Sequence, residues 1–167
     1  MTEDRGPHIE DFATFFARSR DPVLRAVFVS TGDLSRSEDA VAEAYVRACG
    51  GWRKLSKHPN PVGWVTTVAL NEFRSGWRRR SRERRLTPPD SFGEKMSVPF
   101  DPQLLALVAA LPERQREVLA LRLLLDQDTE QTAAVLGIAP GTVTAHLYRA
   151  TSSLRAELTN RQQEVEP

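Results

Sequence analysis

Seven arginines and a single glutamate fall between Arg74 and Arg85, with Trp77 set among them. Guanidinium groups at this density attract polyanions, and the choice lies between nucleic acid and an anionic membrane surface. A second chemically capable stretch is DTEQTAAVLGIAPGTVTAHLYRATSSLR, from Asp128 to Arg155, which reads as helix-turn-helix. Its second helix presents Thr142, Thr144, Ala145, His146 and Arg149 outward. In the DNA-binding form of the motif that helix enters the major groove, where its early side chains meet base edges and phosphates. Helical hairpins with glycine turns also occur in proteins that never touch DNA, so the motif alone leaves that choice open.

Other chemistries lack their residues. The single cysteine, Cys49, has no partner for an intramolecular disulfide, and it reads as a small core residue of a helix. No Cys/His cluster supplies the ligands of a metal site, and His146 has no partner one helical turn away. An enzyme acting on nucleic acid needs an acidic metal cluster or an activated nucleophile near the basic helix, where residues 51 to 85 offer only Glu72 and Glu83. No catalytic residue, metal or cofactor is therefore expected. The start, MTEDRGPHIE, has no hydrophobic signal region, and no run approaches the roughly 20 apolar residues that cross a bilayer. The expected location is the cytoplasm, without membrane insertion.

The net charge of +1 conceals a segregation along the 167 residues. Residues 1 to 50 hold six Lys/Arg against nine Asp/Glu, whereas residues 51 to 85 hold ten against two. Both later stretches, 86 to 102 and 103 to 167, come to −2. One segment carries the basic character.

The elements that must position these groups read as helices. Asp21-Pro22 predicts an N-cap and first helical residue, followed by Val23, Leu24, Val27 and Phe28 and closed at Gly32. Ser35 to Glu38 reads as a capping box ahead of Val41, Ala44, Tyr45 and Ala48, and Gly50-Gly51 ends that helix. Asn60-Pro61 begins a longer helix through Trp64, Val65, Val68, Ala69 and Phe73 into the arginine run. Trp64, Phe73 and Trp77 are equally readable as core aromatics, and Asn71 as a residue bridging neighbouring helices. Pro112 separates a helix holding Leu104, Leu105, Leu107, Val108 and Leu111 from one holding Val118, Leu119, Leu123 and Leu124. Asp128 with Gln131 forms a capping box, Gly137 closes the first helix of the motif, and Ile138 fills the turn. Val143, Leu147, Ala150 and Leu154 form the inner stripe of the second. The fold class is all-α.

Residues 86–102, LTPPDSFGEKMSVPFDP, contain four of the eleven prolines and no apolar period. They read as a flexible linker between two small helical domains, 11–85 and 103–158, with 159–167 as a tail. Fully extended, 17 residues reach about 60 Å, and a relaxed coil averages about 23 Å. The domains are thus expected to act at separated points.

Together these features resemble the extracytoplasmic-function (ECF) group of bacterial sigma factors over residues 20 to 158. The likeness is carried by SRSEDAVAEAYVRACGGW continuing to NPVGWVTTVALNEFRSGWRRRSR, and by LPERQREVLALRLLLDQDTEQTAAVLGIAPGTVTAHLYRATSSLR. The resemblance implies that the first block is a sigma region 2 helical bundle, which binds the clamp helices of RNA polymerase and holds the melted −10 element. It implies that the second is a sigma region 4 domain, which binds the polymerase flap and docks its helix-turn-helix on the −35 element.

Matched position by position, the resemblance places Asp39, Glu43 and Tyr45 at the polymerase clamp. It gives Asn71 to a flipped base, and Arg74, Trp77, Arg78, Arg79 and Arg80 to the melted strand by stacking and phosphate neutralisation. Gly141, Thr142, Thr144, His146 and Arg149 fall on duplex-facing positions. The chain departs from the family pattern at Ala42, where glutamine is usual, at Leu70 and Ser75, and at Thr132, an apolar position of the first motif helix. Ala139 is a poor cap. Thr144 and Ala145 replace the usual basic and hydroxyl residues, which predicts weak duplex binding. The alternative is a helix-turn-helix regulator binding duplex DNA without polymerase, although no dimerisation stretch accompanies the motif. Neither end has room for a sensor domain, so control is expected from expression level or from a separate anti-sigma factor.

Overall fold

A computed structural model describes residues 10–83 and 100–165. The first helix, α1 (Phe12–Thr31), starts ten residues before the expected Asp21-Pro22: Asp11 is its N-cap and accepts from the Thr14 amide at 2.8 Å. Pro22 lies inside the helix. A proline in a helix interior costs on the order of 3 kcal/mol. Here Phe15 and Ser19 before it and Val23, Leu24 and Val27 after it are all buried on the same core, so packing offsets the lost hydrogen bond. Gly32, with φ of +79°, ends the helix as expected.

Helix α2 (Leu34–Gly50) begins two residues before the expected box, because Asp33 caps it by accepting from the Arg36 amide at 3.0 Å. Gly51 stops it, and a short helix α3 (Trp52–Leu55) that the periodicity did not suggest follows. Trp52 anchors this turn by stacking on Phe15, with ring centroids 4.7 Å apart, and by donating its indole N–H to the Glu10 carbonyl at 3.1 Å. Helix α4 (Pro61–Glu83) starts where Asn60-Pro61 predicts, with the Asn60 Oδ1 accepting from the Gly63 amide at 2.9 Å.

The second part holds α5 (Pro102–Ala109), α6 (Glu113–Leu123), α7 (Thr129–Leu136) and α8 (Pro140–Val165). Asp101 caps α5, so Pro102 belongs to a helix and not to the linker; residues 86–99 of that expected linker, and 84–85 before it, lie outside the described residues. The capping box of Asp128 and Gln131 is complete, and Gly137 closes α7 at φ +64°. Residues 159–165, expected as tail, continue α8. Thr132 is fully buried in α7 and its Oγ1 has no hydrogen-bond partner, so the hydroxyl occupies an apolar position at a cost of about 1–3 kcal/mol. Every described element is helical.

The two parts are packed together instead of standing apart. One buried cluster joins Phe15, Val27, Tyr45, Val65 and Leu70 to Val118, Leu121, Ala133, Leu136 and Val143. A second places Ala26 and Val29 of α1 among Val108, Leu111, Leu119, Ala120 and Ala150. The outer side of α1 is apolar and α6 covers it. Asn60 Nδ2 also donates to Gln127 Oε1 at 2.5 Å, and Arg116 Nε to the Ser30 carbonyl at 3.2 Å.

Candidate nucleic-acid and partner interface

Helix α2 buries Ala40, Val41, Ala44, Tyr45 and Ala48, which turns Asp39 and Glu43 outward one helical turn apart. Arg47 Nε donates to Glu43 at 2.9 Å, and its Nη2 reaches Glu72 of α4 at 2.7 Å. The guanidinium of Arg36 lies 4.0 Å from the centre of the Phe73 ring and donates to the Phe73 carbonyl at 2.9 Å. A small crevice between α2 and α4 is lined by Arg36, Asp39, Glu43, Glu72, Phe73 and Gly76. The acidic face is therefore tied by arginines to the turn of α4 that carries Asn71.

Tyr45 does not share this face. It is 3% exposed, and its hydroxyl meets Ser19 Oγ at 2.7 Å. Burial pushes its phenol up to about 12, partly opposed by the Ser19 hydrogen bond. Six residues from Asp39, Tyr45 falls on the inner side of α2, so it supports the acidic face from within the core. Cys49, expected in the core, is exposed; Ala48 takes the inner position instead. Cys49 lines an apolar groove with Phe12, Phe16, Val41 and Val46.

On α4, Asn71 is exposed and Leu70, where the family pattern has arginine, is core at 3% exposure. Arg74 is half-buried and forms an ion pair with Glu117 of α6. Trp77, Arg78, Arg79 and Arg80 belong to the last turns of α4; their side chains lie outside the described residues.

On α8, Gly141, Thr142, Thr144 and Arg149 stand exposed above the buried Val143 and Ala150. His146 differs from its expected outward placement: it is half-buried, and its Nδ1 is shielded without a partner. It stands one turn from Val143, at the flank of the buried stripe. Tyr148, which sequence reasoning passed over, is 73% exposed beside Arg149. It lies one turn beyond Thr144, and the helical period alone could have found it. Among the described residues no group of three His, Cys, Asp or Glu side chains could hold a metal ion, and no helix is long and apolar enough to cross a membrane.

Residues 15–83 match the family model described as sigma-70 region 2, and residues 102–154 the one described as sigma-70, region 4. An RNA polymerase sigma-E factor of Streptomyces avermitilis is 30% identical over 155 residues, covering 90% of this chain and 87% of its own. The ECF RNA polymerase sigma factor EcfG of Rhodopseudomonas palustris is 32% identical over 145 residues, covering 82% and 80%. SigL of Mycobacterium tuberculosis, another ECF sigma factor, is 33% identical over 144 residues. Among solved structures, the sigma factor RpoE of Bartonella quintana, crystallised with the anti-sigma factor NepR, superposes with a TM-score of 0.72 over 94% of this chain and 99% of its own. At 22% identity that likeness is one of fold.

Proposed function

The chain belongs to the ECF group of the sigma-70 family, and from that premise we propose that it binds core RNA polymerase and directs it to promoters. The first domain docks on polymerase through Asp39 and Glu43, whose carboxylates face solvent while the rest of α2 packs inward. Helix α4 then holds the opened strand: Asn71 offers an amide to a base edge, Trp77 a stacking surface, and Arg74, Arg78, Arg79 and Arg80 neutralise phosphates. The second domain lays α8 on the upstream duplex through Gly141, Thr142, Thr144 and Arg149, with His146 at the edge of that face.

One observation carries this reading. The duplex-reading side of α8 and the acidic side of α2 are both solvent-facing, each in the segment that matches its sigma region. The chemistry is recognition, without a catalytic step of its own, and it takes place in the cytoplasm where polymerase and DNA are. An anti-sigma factor that covers the Asp39/Glu43 face and α8 is the fitting negative regulator. The test is co-purification with core polymerase followed by run-off transcription from a matched promoter. A promoter-dependent transcript is expected; duplex binding without polymerase and without a transcript would replace this reading with that of a helix-turn-helix regulator.

A further inference from the structure

Apolar packing clasps helix α4 only along its first half. Val65, Ala69 and Leu70 lie in one buried cluster with Val41, Ala44 and Tyr45 of α2, and Leu70 is the last buried residue of α4 among those whose side chains are described. Beyond it stand Asn71 and Trp77, the groups proposed for the opened strand, so the core does not hold the turn between them. Arginines do. Arg47 of α2 reaches Glu72 at 2.7 Å, Arg74 pairs with Glu117, and Arg36 of α2 engages Phe73.

These contacts are unequal. The side chains of Arg47 and Arg74 are 49% and 39% exposed, whereas that of Arg36 is 15% exposed. Exposed ion pairs hold weakly, because solvent screens them and long side chains lose freedom in making them. Arg36 is the firm one. Its guanidinium lies 4.0 Å from the centre of the Phe73 ring while its Nη2 donates to the Phe73 carbonyl at 2.9 Å, so one planar group grips the side chain and the backbone of a single residue. In an α-helix the carbonyl of residue 73 is also the acceptor for the amide of residue 77. The grip thus falls two residues after Asn71 and four before Trp77.

The place of Arg36 in its own helix points the same way. It stands in the first turn of α2, where its amide donates to the Asp33 cap. A cation there opposes the positive end of the helix dipole, so local preference disfavours arginine at this position. The Asp33 carboxylate, 3.9 Å from Nη1, offsets part of that cost. Local rules are broken and compensated chiefly where function requires it.

We infer that Arg36 is a positioning residue for strand capture, gripping Phe73 so that α4 presents Asn71 and Trp77 in one arrangement before the strand arrives. It acts through Phe73 and meets no base itself. A turn fixed beforehand needs no ordering when the strand binds, and that ordering would otherwise weaken binding. The effect on the strand rests on the proposed function; the grip on Phe73 does not.

The experiment uses the full chain, free and with core polymerase. Arg36→Lys keeps the charge but loses the planar fork and the ring contact. Phe73→Leu breaks the same grip from α4, and it keeps the test alive if Arg36→Lys does not fold. In the free chain, hydrogen exchange should quicken in either variant at the amides of residues 74 to 80 and stay as in wild type at residues 65 to 70. With polymerase, either variant should bind a short single-stranded oligonucleotide roughly tenfold more weakly than wild type. Added to a chain that already carries Asn71→Ala and Trp77→Ala, the same change should cost almost nothing further, since nothing is left to position. A residue with a purely structural role would cost as much in both settings. Unchanged exchange, unchanged strand affinity, or an equal loss in both settings overturns the inference. Wild-type run-off transcription, measured alongside, reports separately on the proposed function: a wild type without a transcript removes that reading, and the exchange result still decides the grip.

Discussion

The hydroxyls of Ser19 and Tyr45 meet at 2.7 Å inside the first domain, between α1 and α2, and Ser19 also donates to the Phe15 carbonyl at 2.5 Å. This pair fixes the rotation of α2 on α1 and hence the outward aim of Asp39 and Glu43. Because burial raises the phenol from 10.0 to about 12, the folded chain holds this proton more tightly than the unfolded one. Stability from this group is complete below pH 10.0 and is lost as pH rises toward about 12, by on the order of 2 to 3 kcal/mol. Tyr45→Phe should lower stability by about 1 kcal/mol near neutral pH through the lost hydrogen bond, and should flatten the alkaline decline. Urea unfolding at neutral and alkaline pH checks both; a decline equally steep in the variant would assign it to other groups.

Charge reversal on the acidic face separates docking from folding. Asp39→Lys with Glu43→Lys should lower the thermal midpoint only slightly, since both residues are exposed and the Glu43–Arg47 pair that is lost is a surface one, and should weaken polymerase binding by roughly tenfold or more. Affinity for core polymerase equal to wild type would remove these residues from the interface.

Trp77→Ala should impair promoter opening while leaving polymerase affinity intact, because the indole is assigned to unpaired bases, each stacked base contributing roughly 1 to 3 kcal/mol. Permanganate reactivity of the opened strand is the readout, and wild-type reactivity in the variant contradicts the assignment. Arg78→Gln and Arg79→Gln should instead lower affinity on all sequences and reduce the salt slope by roughly 0.7 to 0.9 per lost phosphate contact. A slope that does not move would place these guanidiniums elsewhere.

Thr144→Arg should strengthen duplex binding. Thr144 is exposed on α8, and its hydroxyl turns back to the Pro140 carbonyl at 3.3 Å instead of reaching outward. A long guanidinium at that position reaches a phosphate or guanine edge. Titration of the full chain with duplex at fixed salt should show the gain, and a variant no tighter than wild type would mean that this turn of α8 stays clear of DNA.

Local sequence determined the features whose partners lie within one turn. Gly32 and Gly137 end helices, Asp128 with Gln131 starts one, and along the inner stripe of α8 Val143 and Ala150 are buried with Leu147 and Leu154 half-buried beside them. Each depends on backbone groups three or four residues away, so residue type and spacing suffice. Other features needed the tertiary structure. Pro22 reads as a helix start because its local cost is evident, whereas the burial of Phe15, Val23 and Val27 that outweighs it depends on distant helices. Cys49 and Ala48 are both small residues near the end of α2, and only the packing of α1 decides that Ala48 turns inward. The partner of Arg74 lies 43 residues away on another domain. An arginine in a basic run carries no sign of a distant carboxylate, because a long-range pair is created by the packing of α6 on α1 and not by any local period. The residues proposed for the opened strand can be named from the chain, while the surroundings of Arg74 are decided by how its two halves meet.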